Sequence, residues 1–168
     1  LEQRLKGTFV VENRPGGANV IAAVSVAKAP PDGHTLLMTT STTMAINVSV
    51  FKNLAYDPAK DFVPVALVSG VPFVLVVNAA SGMTSLKDLV ARAKAKPGQL
   101  SYSSGGNGSA AHIGFEYFKL RAGIFMAHIP YRGTAPSVTD LISGQVDATF
   151  TGTPAVLPHI RSGRLRAL

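Results

Sequence analysis

The chain has 168 residues, of which 46% are hydrophobic and 15% are charged, and this balance excludes a disordered protein. It contains no cysteine, which excludes disulfide bonds, thiolate zinc sites and a cysteine nucleophile. No apolar stretch approaches the ~18 residues that a membrane-spanning helix needs. The net charge of +7 favours an anionic partner, but the Lys and Arg residues are scattered singly. We therefore expect a small anion as the partner and no nucleic acid.

The N-terminal part of the chain predicts a β-α-β unit. Residues 8–11 favour a strand, and the turn sequence over 13–17 leads into an Ala/Val-rich segment with a helical period over 18–28. Pro and Gly residues over 30–33 end that helix, and residues 35–39 favour the next strand. A strand, a helix and a second strand in this order predict a parallel sheet.

A hydroxyl-rich segment follows the second of these strands. Residues 39–43, Thr-Thr-Ser-Thr-Thr, stand at its C-terminal end, where ligands gather in open α/β sheets. Their hydroxyl groups are suited to hydrogen-bond a carboxylate, although a plain strand and turn would explain the same residues. A short helix is predicted to follow over 44–51.

Two apolar runs occupy the middle of the chain, over 63–68 and 73–77, with only Ser69–Pro72 between them. Four residues cannot hold a crossover helix, so the two runs are not parallel neighbours in one sheet. They are either an antiparallel pair or one extended path that crosses from one lobe of the protein to another.

The second half of the chain predicts another α/β unit. Ser85 is expected to cap an amphipathic helix with Asp88 near its N-terminal end, and Lys96–Gly98 ends that helix. The later elements are predicted as a strand before Ser103, a helix to about residue 122, a strand over 125–129, a helix over 136–143 and a strand over 146–150 that ends at Thr151–Pro154.

The most informative motif is Ser103–His112, Ser-Ser-Gly-Gly-Asn-Gly-Ser-Ala-Ala-His. It stands between a predicted strand and a predicted helix. Glycines let the backbone approach a ligand closely, and the first N–H groups of the helix point at that ligand from the positive end of the helix dipole. The motif therefore predicts capture of an anion, either a carboxylate or a phosphate.

The same motif also matches a dinucleotide fingerprint, which would make the protein an α/β enzyme that binds a dinucleotide phosphate. The match is Gly106-x-Gly108-x-x-Ala111 after a strand. That fingerprint needs an acidic residue at the end of the next strand to hold the ribose, whereas this strand ends at Ile129–Arg132 with no Asp or Glu. A Walker loop is excluded because its Gly-Lys-Ser/Thr ending is absent.

Two further interpretations of the motif stay open on spacing alone. Ser109 and His112 share a helix face as a nucleophile and a base would, but the sequence supplies no evident orienting acid. The glycines could also form no more than a tight strand-to-helix connection. In that interpretation His112 is a packed or solvated residue.

The remaining acidic and imidazole side chains do not form a site in the sequence. Three other histidines, His34, His128 and His159, have no metal-type spacing to a partner. Asp140 and Asp147 are expected to cap helices or to face solvent. We expect no metal and no cofactor.

Eight motifs follow one another along nearly the whole chain. They are Asn13–Gly17, Pro31–Thr35, Ser41–Asn47, Tyr56–Phe62, Ser104–His112, Pro130–Gly133, Asp140–Asp147 and Pro158–Leu168. Each motif alone is weak, but the ensemble in this order is specific, and it resembles the Bug family, the periplasmic solute-binding proteins of tripartite tricarboxylate transporters.

The resemblance implies an α/β fold of the two-lobed periplasmic-binding-protein type, a Venus flytrap, with residues 1–70 in a partial first lobe and 71–168 in a complete second lobe. It implies a periplasmic receptor without enzymatic activity that holds a small organic carboxylate between its lobes and delivers it to membrane permease subunits. A di- or tricarboxylate, an acidic amino acid or an aromatic acid would suit such a site.

Carried over residue by residue, the resemblance assigns ligand-binding residues to three segments of the chain. The family has His where this chain has Met44 and Pro where it has Val48, so the first-lobe contacts differ in detail. The assigned residues are Ser104, Gly106, Asn107, Gly108 and Ser109 in the second lobe, Ser41, Thr42, Thr43 and Ala45 in the first lobe, and Thr151 and Thr153 near the other end of the ligand.

Members of the resembled family are nearly twice as long as this chain and begin with a signal peptide. Residues 1–6 instead resemble the end of a polar helix, so we expect a fragment or a trimmed product. A partial first lobe leaves sheet edges without partners, and such edges favour pairing between chains. We therefore expect a homo-oligomer or a swapped dimer of this chain.

Overall fold

The computed structural model describes residues 2–168. A π-helical turn over Thr42–Ile46 runs directly into the third helix. The helices are α1 (Glu2–Leu5), α2 (Val20–Ala27), α3 (Asn47–Val50), α4 (Leu86–Ala95), α5 (Ala110–Ala122), α6 (Thr134–Ser143) and α7 (Thr153–Arg161). The strands are β1 (Phe73–Asn78), β2 (Ser101–Ser104), β3 (Ala127–Pro130), β4 (Ala148–Gly152) and β5 (Leu165–Ala167).

The five strands form one mixed sheet in the order β3-β2-β4-β1-β5. Strand β2 runs parallel to β3 and β4, whereas β1 runs antiparallel to β4 and β5. The C-terminal ends of β2, β3 and β4 therefore lie at the same edge of the sheet, which we call the ligand edge. Strand β1 enters at this edge, because Phe73 is paired with Gly152 at the end of β4.

Helices cover both faces of the sheet, and neighbouring residues of β1 show how. Val76 and Val77 are both fully buried but belong to different apolar clusters, because successive side chains of a strand point to opposite faces. The Val77 cluster includes residues of α4 and α5, and the Val76 cluster includes residues of α6 and α7. The result is an α/β/α arrangement with the sheet between two helical layers.

The prediction for α4 is confirmed in detail. The Ser85 side chain accepts a hydrogen bond from the Asp88 N–H, and the Asp88 carboxylate accepts one from the Ser85 N–H, which completes a capping box. Asp88 also accepts from the N–H and the hydroxyl of Thr84. These hydrogen bonds, those from Thr84 foremost, lower the pKa of Asp88 to about 2.

The predicted strands over 8–11 and 35–39 are wrong for the structure as described, and with them the β-α-β unit and its parallel sheet. Both segments lack strand structure, whereas α2 between them forms as predicted. Their large apolar side chains are exposed, as at Val10 and Met38. A strand exists only through hydrogen bonds to a neighbouring strand, and no neighbour lies beside either segment within residues 2–168.

The structure decides between the two interpretations of the central apolar runs. Residues 63–72 form no strand, and Val63, Val65 and Leu67 are more than 80% exposed, so 63–68 is not an antiparallel partner of β1. Only the second run is a strand, at Phe73–Asn78. The segment before it is a single extended path that leads from the N-terminal part of the chain into the sheet.

Side-chain hydrogen bonds hold the N-terminal part together in place of strands. Asn47 is fully buried and donates to the Ala18 carbonyl and to the Tyr56 hydroxyl, each at 3.0 Å. The Tyr56 hydroxyl in turn donates to the Thr43 carbonyl at 2.6 Å. The network joins the turn before α2, the π-helical turn and the segment around residue 56.

Two elements at the C-terminal end were not predicted. Helix α7 contains Pro158, a residue that normally interrupts a helix, and β5 spans only three residues. None of the helices in residues 2–168 is both long and apolar enough to cross a bilayer.

Candidate functional site

Three helices begin at the ligand edge of the sheet. Helix α5 follows β2, α6 follows β3 and α7 follows β4, so the positive ends of their dipoles all lie beside the ends of the parallel strands. None of the three carries an acidic residue in its first turn. Helix α4 begins at the opposite edge, where Asp88 already occupies its N-terminus. The ligand edge therefore carries the positive ends of three helix dipoles, and no acidic side chain in the first turns of these helices neutralises them.

The turns after β2 and β3 are joined by backbone hydrogen bonds. The Tyr131 N–H donates to the Ser104 carbonyl at 3.0 Å, and the Gly133 N–H donates to the Gly105 carbonyl at 3.1 Å. A Cβ atom at Gly105 would lie 3.4 Å from the Gly133 carbonyl carbon and 3.5 Å from the Thr134 nitrogen. These are ordinary van der Waals distances, so the two backbone hydrogen bonds hold the beginnings of α5 and α6 together.

Within the Gly-rich turn, side chains of the protein hold some backbone amides. The Gly106 N–H donates to Ser104 Oγ at 3.2 Å, and the Gly108 N–H donates to His112 Nδ1 at 3.1 Å. Both glycines have positive φ, +136° and +76°, which L side chains rarely adopt. Ser109 caps α5 by accepting from the His112 N–H at 3.3 Å.

Other amides of this edge have no acceptor among residues 2–168. They are the N–H groups of Asn107 and Ala111 in and after the Gly-rich turn, and those of Thr134 and Ala135 at the beginning of α6. Backbone N–H groups at helix N-termini are the common donors to carboxylates and phosphates. The structure thus brings the predicted second-lobe residues together around donors that can bind an anion.

The hydroxyl-rich segment lies against the beginning of α5. Thr42 Oγ1 accepts a hydrogen bond from the Ala110 N–H at 3.1 Å, and both Thr42 and Thr43 are buried. Thr43 Oγ1 accepts from Thr39 Oγ1 at 2.5 Å and is turned into the N-terminal part of the chain. Of the four predicted residues, Thr42 is the one in direct contact with α5, while Ser41 and Ala45 are exposed.

Thr151 and Thr153 also lie at the ligand edge, but Thr153 has another role in this structure. Its N–H and its hydroxyl both donate to the Pro72 carbonyl, at 2.9 and 2.8 Å. Thr153 thereby fixes the segment that enters β1. Thr151 is buried in β4 opposite Val74, and its hydroxyl has no hydrogen-bond partner within residues 2–168.

Three buried hydroxyls lie beneath α6, and the sequence analysis missed two of them, Ser137 and Thr149. Ser137 Oγ donates to Ser103 Oγ at 2.8 Å, and Thr149 Oγ1 donates to the Ser103 carbonyl at 2.9 Å. All three residues are at most 1% exposed. They attach the first turn of α6 to β2 and β4, so they fix the position of this N-terminus. The only signal in the sequence was the presence of hydroxyl residues near the ends of two predicted strands.

A column of four stacked rings runs from the core to the Gly-rich turn, and it includes two histidines that the sequence did not connect. Phe115 stacks on Tyr102 with ring centroids 3.9 Å apart, Tyr102 on His128 at 4.8 Å, and His128 on His112 at 4.1 Å. His128 Nε2 lies 2.7 Å from Ser104 Oγ. Burial, and secondarily the nearby His112, lower the pKa of His128 to about 4.

An ion pair between the half-buried Glu116 and the buried Lys119 lies beside this column. Glu116 Oε1 accepts from the Tyr102 hydroxyl at 2.5 Å and from Lys119 Nζ at 2.6 Å, and Lys119 is only 8% exposed. Burial raises the pKa of Tyr102, and the bond to Glu116 adds to this. Among residues 2–168 Glu116 makes hydrogen bonds to these two donors and none to a histidine, so it does not orient His112 as a base.

Asp140 and Asp147, which were expected to cap helices or to face solvent, are instead half-buried and accept hydrogen bonds from neighbouring elements. Asp140 accepts from the Tyr131 hydroxyl at 2.6 Å, and this bond raises the pKa of Tyr131 to about 12. Asp147 accepts from the N–H and the hydroxyl of Ser101, at 2.7 and 3.1 Å. Each carboxylate ties neighbouring elements of the second half together, and neither contacts the Gly-rich turn.

The geometry gives no support to catalysis by Ser109 and His112. Ser109 Oγ receives the backbone N–H of His112, while the His112 ring accepts the Gly108 N–H, so the ring is not placed as a base for the hydroxyl. The residues after β3 present no carboxylate for a ribose. Among residues 2–168 no group of three His, Cys, Asp or Glu is arranged to hold a metal ion.

Comparison with known proteins gives consistent matches over the whole chain. The tripartite tricarboxylate transporter family receptor model matches residues 1–168. BugT of Bordetella pertussis is 43% identical over 169 residues, which cover 100% of this chain and 52% of BugT. This chain spans about half the length of the curated relatives that it matches.

Solved structures with the same fold include receptors with bound dicarboxylates. Rpa4515 of R. palustris with adipate has a TM-score of 0.96 and 37% identity, and MatC of Rhodopseudomonas palustris with malate has a TM-score of 0.90 and 30% identity. The periplasmic binding protein BugD has a TM-score of 0.92 and 31% identity. The matches cover 99% of this chain and 55–56% of those chains. The expected α/β fold of the periplasmic-binding-protein type is thereby confirmed.

Proposed function

This chain belongs to the tripartite tricarboxylate transporter receptor family, whose members are solute-binding receptors and not enzymes, and from that premise we propose that it captures a small organic carboxylate at the ligand edge. A linear dicarboxylate is the substrate class that we favour. Structural neighbours with bound adipate and malate support this choice. The receptor would work outside the cytoplasm, in the periplasm, and deliver its ligand to the permease subunits of a tripartite transporter.

The observation that carries this proposal is the convergence of three helix N-termini without an acidic residue in their first turns. Amide donors at such positions stabilise a carboxylate through hydrogen bonds and through the helix dipoles, each dipole contributing about 0.3–1 kcal/mol at an exposed site. The net charge of +7 adds a long-range attraction for anions.

Some of the predicted residues have a hydrogen-bond donor that is free for a ligand, and the others shape the site. The Asn107 amide, the Ser109 hydroxyl and the Thr42 hydroxyl are the donors that we assign to one carboxylate. The Ser109 and Thr42 oxygens already accept backbone N–H groups, so their own hydrogens can be donated outward. Ser104, Gly106 and Gly108 would shape the turn, and Thr153 would hold the crossing segment.

We assign residues 1–70 to one lobe and residues 71–168 to the other, with the ligand between them. The Thr42–Ala110 hydrogen bond joins the two parts at the ligand edge, and this supports the assignment. We also propose that isolated copies of this chain associate through the exposed extended segments 8–11, 35–39 and 63–68. Light scattering tests this association: a dimer or larger species is expected, and a monomer at all concentrations would exclude it.

Amide hydrogen exchange on the full-length protein tests the location of the site. Saturating adipate or malate is expected to slow exchange at the Asn107 and Ala111 amides. The amide of Ser143, in the last turn of α6, serves as the control and is expected to be unaffected. Protection confined to residues away from the ligand edge would contradict the proposed site.

A further inference from the structure

We propose that His112 is a positioning residue for the ligand, which acts through the backbone of Gly108 and only while its ring is neutral. This inference rests on the proposed function, because it concerns how the turn is held in the shape that presents donors to a carboxylate. His112 makes no contact with a ligand in this proposal. It fixes the turn from behind, and its protonation releases the turn.

The first step is the hydrogen bond itself. The Gly108 N–H donates to His112 Nδ1 at 3.1 Å. A ring nitrogen accepts a hydrogen bond only when it carries no proton, so this contact places the ring proton on Nε2 and makes the ring neutral. Protonation of Nδ1 would set an N–H donor against the Gly108 N–H donor, and the turn would have to move.

The second step is that the ring cannot adapt to the turn. The His112 ring stacks on His128 with an interplanar angle of 17°, and the column continues through Tyr102 to Phe115. Tyr102 and Phe115 are fully buried. The column therefore ties Nδ1 to the core, and the Gly108 amide is held at a position that the core determines.

The third step is that the neighbouring contact between Ser104 and His128 survives protonation of the His128 ring. Ser104 Oγ lies 2.7 Å from His128 Nε2 and 3.1 Å from the Gly106 carbonyl. When Nε2 carries no proton the Ser104 hydroxyl can donate to it, and when Nε2 is protonated the Ser104 oxygen accepts from it while the hydroxyl donates to the Gly106 carbonyl. Both states keep the Gly106 N–H on Ser104 Oγ at 3.2 Å, so the His112–Gly108 bond is the pH-sensitive point.

The charged and titratable groups around the ring are few. They are Glu116 and Lys119 of α5, His128 of β3 and Tyr102 of β2. The N-terminal part of the chain contacts the turn and the beginning of α5 through the uncharged residues Thr42 and Val50. Burial lowers the pKa of His112; Glu116 opposes this shift and Lys119 adds to it. The ring is thus neutral at and above pH 7 and becomes protonated below its ordinary value of 6.5.

Two substitutions separate this role from simple packing. His112→Asn removes the ring but places Oδ1 near the position of Nδ1, so it keeps an acceptor that does not titrate. His112→Phe keeps a stacked ring but has no acceptor for the Gly108 N–H. A positioning role predicts that the Asn variant binds like wild type and that the Phe variant does not. A packing role predicts the reverse.

The test is calorimetric titration of the full-length protein and both variants with adipate and malate from pH 8 to pH 5. We expect His112→Phe to bind about tenfold more weakly at pH 7.5, the effect of one lost hydrogen bond and the unpaired amide that it leaves. We expect His112→Asn to keep wild-type affinity there and to lose less affinity than wild type below pH 6.5. Protonation of the ligand itself is common to all three proteins and cancels in this comparison.

The outcomes are distinguishable from failure of the proposed function. If wild type binds neither acid, the proposed function is overturned for these ligands. If wild type binds and the Phe variant binds equally well, or if the Asn variant has the same pH profile as wild type, the positioning role is overturned. A thermal melt of each protein accompanies the titrations, and if the Phe variant does not fold, the pH profile of the Asn variant decides alone.

Discussion

Thr42 Oγ1 accepts a hydrogen bond of 3.1 Å from the N–H of Ala110, the first residue of α5. The contact joins the N-terminal part of the chain to the helix that begins at the Gly-rich turn. It places the Thr42 hydroxyl of the hydroxyl-rich segment beside the backbone amides that follow the Gly-rich turn. The two halves of the proposed carboxylate site thus meet at a defined pair of residues.

Replacing Thr42 tests this relationship. We expect Thr42→Val to weaken dicarboxylate binding by tenfold or more, because the ligand loses a donor and Ala110 loses its acceptor, and a hydrogen bond to a charged group contributes about 1.5–3 kcal/mol. Thr42→Ser retains the hydroxyl and is expected to stay within about twofold of wild type. Equal affinity of the Val variant and wild type in calorimetry would remove Thr42 from the site.

A negative charge placed at the ligand edge should compete with the ligand. Ala135 is exposed in the first turn of α6, and we expect Ala135→Asp to weaken dicarboxylate binding at least tenfold while stabilising the helix by about 0.3–1 kcal/mol. Thr139→Asp adds the same charge one turn further along α6 and is the matched control. Equal losses in both variants would indicate a general charge effect and no specific site.

Gly108 is predicted to be required for the shape of the turn. An alanine there must adopt φ of +76°, and its Cβ would lie 3.2 Å from Val50 Cγ1. The left-handed conformation costs a non-glycine residue about 1–2 kcal/mol, so we expect Gly108→Ala to lower the unfolding free energy by at least that amount and to weaken binding. Adding Val50→Ala relieves the contact but not the backbone strain. Full recovery of stability in the double variant would show that crowding was the whole effect.

Asp88 provides a prediction for the opposite edge of the sheet. Asp88→Asn removes the charged acceptor of the capping box, so a lower Tm in thermal melts at pH 7 is expected with dicarboxylate affinity unchanged. The folded-state pKa of about 2 lies below the ordinary value of 3.8 for an aspartate, so this stabilisation is present above pH 4 and is lost as the pH falls toward 2. A change in ligand affinity would mean that the two edges are coupled.

The sequence predicted the elements from α4 to β4 well because their signals are local. Ser85 with Asp88, and the glycines before α5, each specify a cap or a turn within a few residues. The strands over 8–11 and 35–39 were predicted from the same kind of pattern and did not form. Pairing is a property of two segments together, so a local pattern cannot show whether a partner is present.

The candidate site divides in the same way. The Gly-rich turn was recognised from its own residues, whereas the contact of Thr42 with Ala110 joins positions 68 residues apart. The stacking of His112 on His128 also depends on how β3 is placed beside β2. Neither relationship leaves a spacing signal in the sequence, so the sequence analysis did not connect His112 with His128.

The histidine column predicts a pH dependence of stability. The folded-state pKa of His128 is about 4 against an ordinary value of 6.5, so the unfolded chain binds a proton first as the pH falls. The contribution of neutral His128 is therefore complete above pH 6.5 and is lost between pH 6.5 and 4. His128→Gln offers Ser104 an amide near the Nε2 position, and this amide does not titrate. In thermal melts the Tm of this variant should fall less between pH 6.5 and pH 4 than the Tm of wild type. Parallel Tm curves for the two proteins would contradict a neutral, half-buried His128.

The central claim, that the ligand edge binds a carboxylate and not a nucleotide, is tested most directly by calorimetry on the full-length protein. Adipate, malate and citrate are titrated in parallel with NADP at pH 7.5. We predict saturable 1:1 binding of at least one organic acid, weakened at least tenfold in Ala135→Asp, and no binding of NADP. Saturable binding of NADP with no heat from any of the acids would contradict the account.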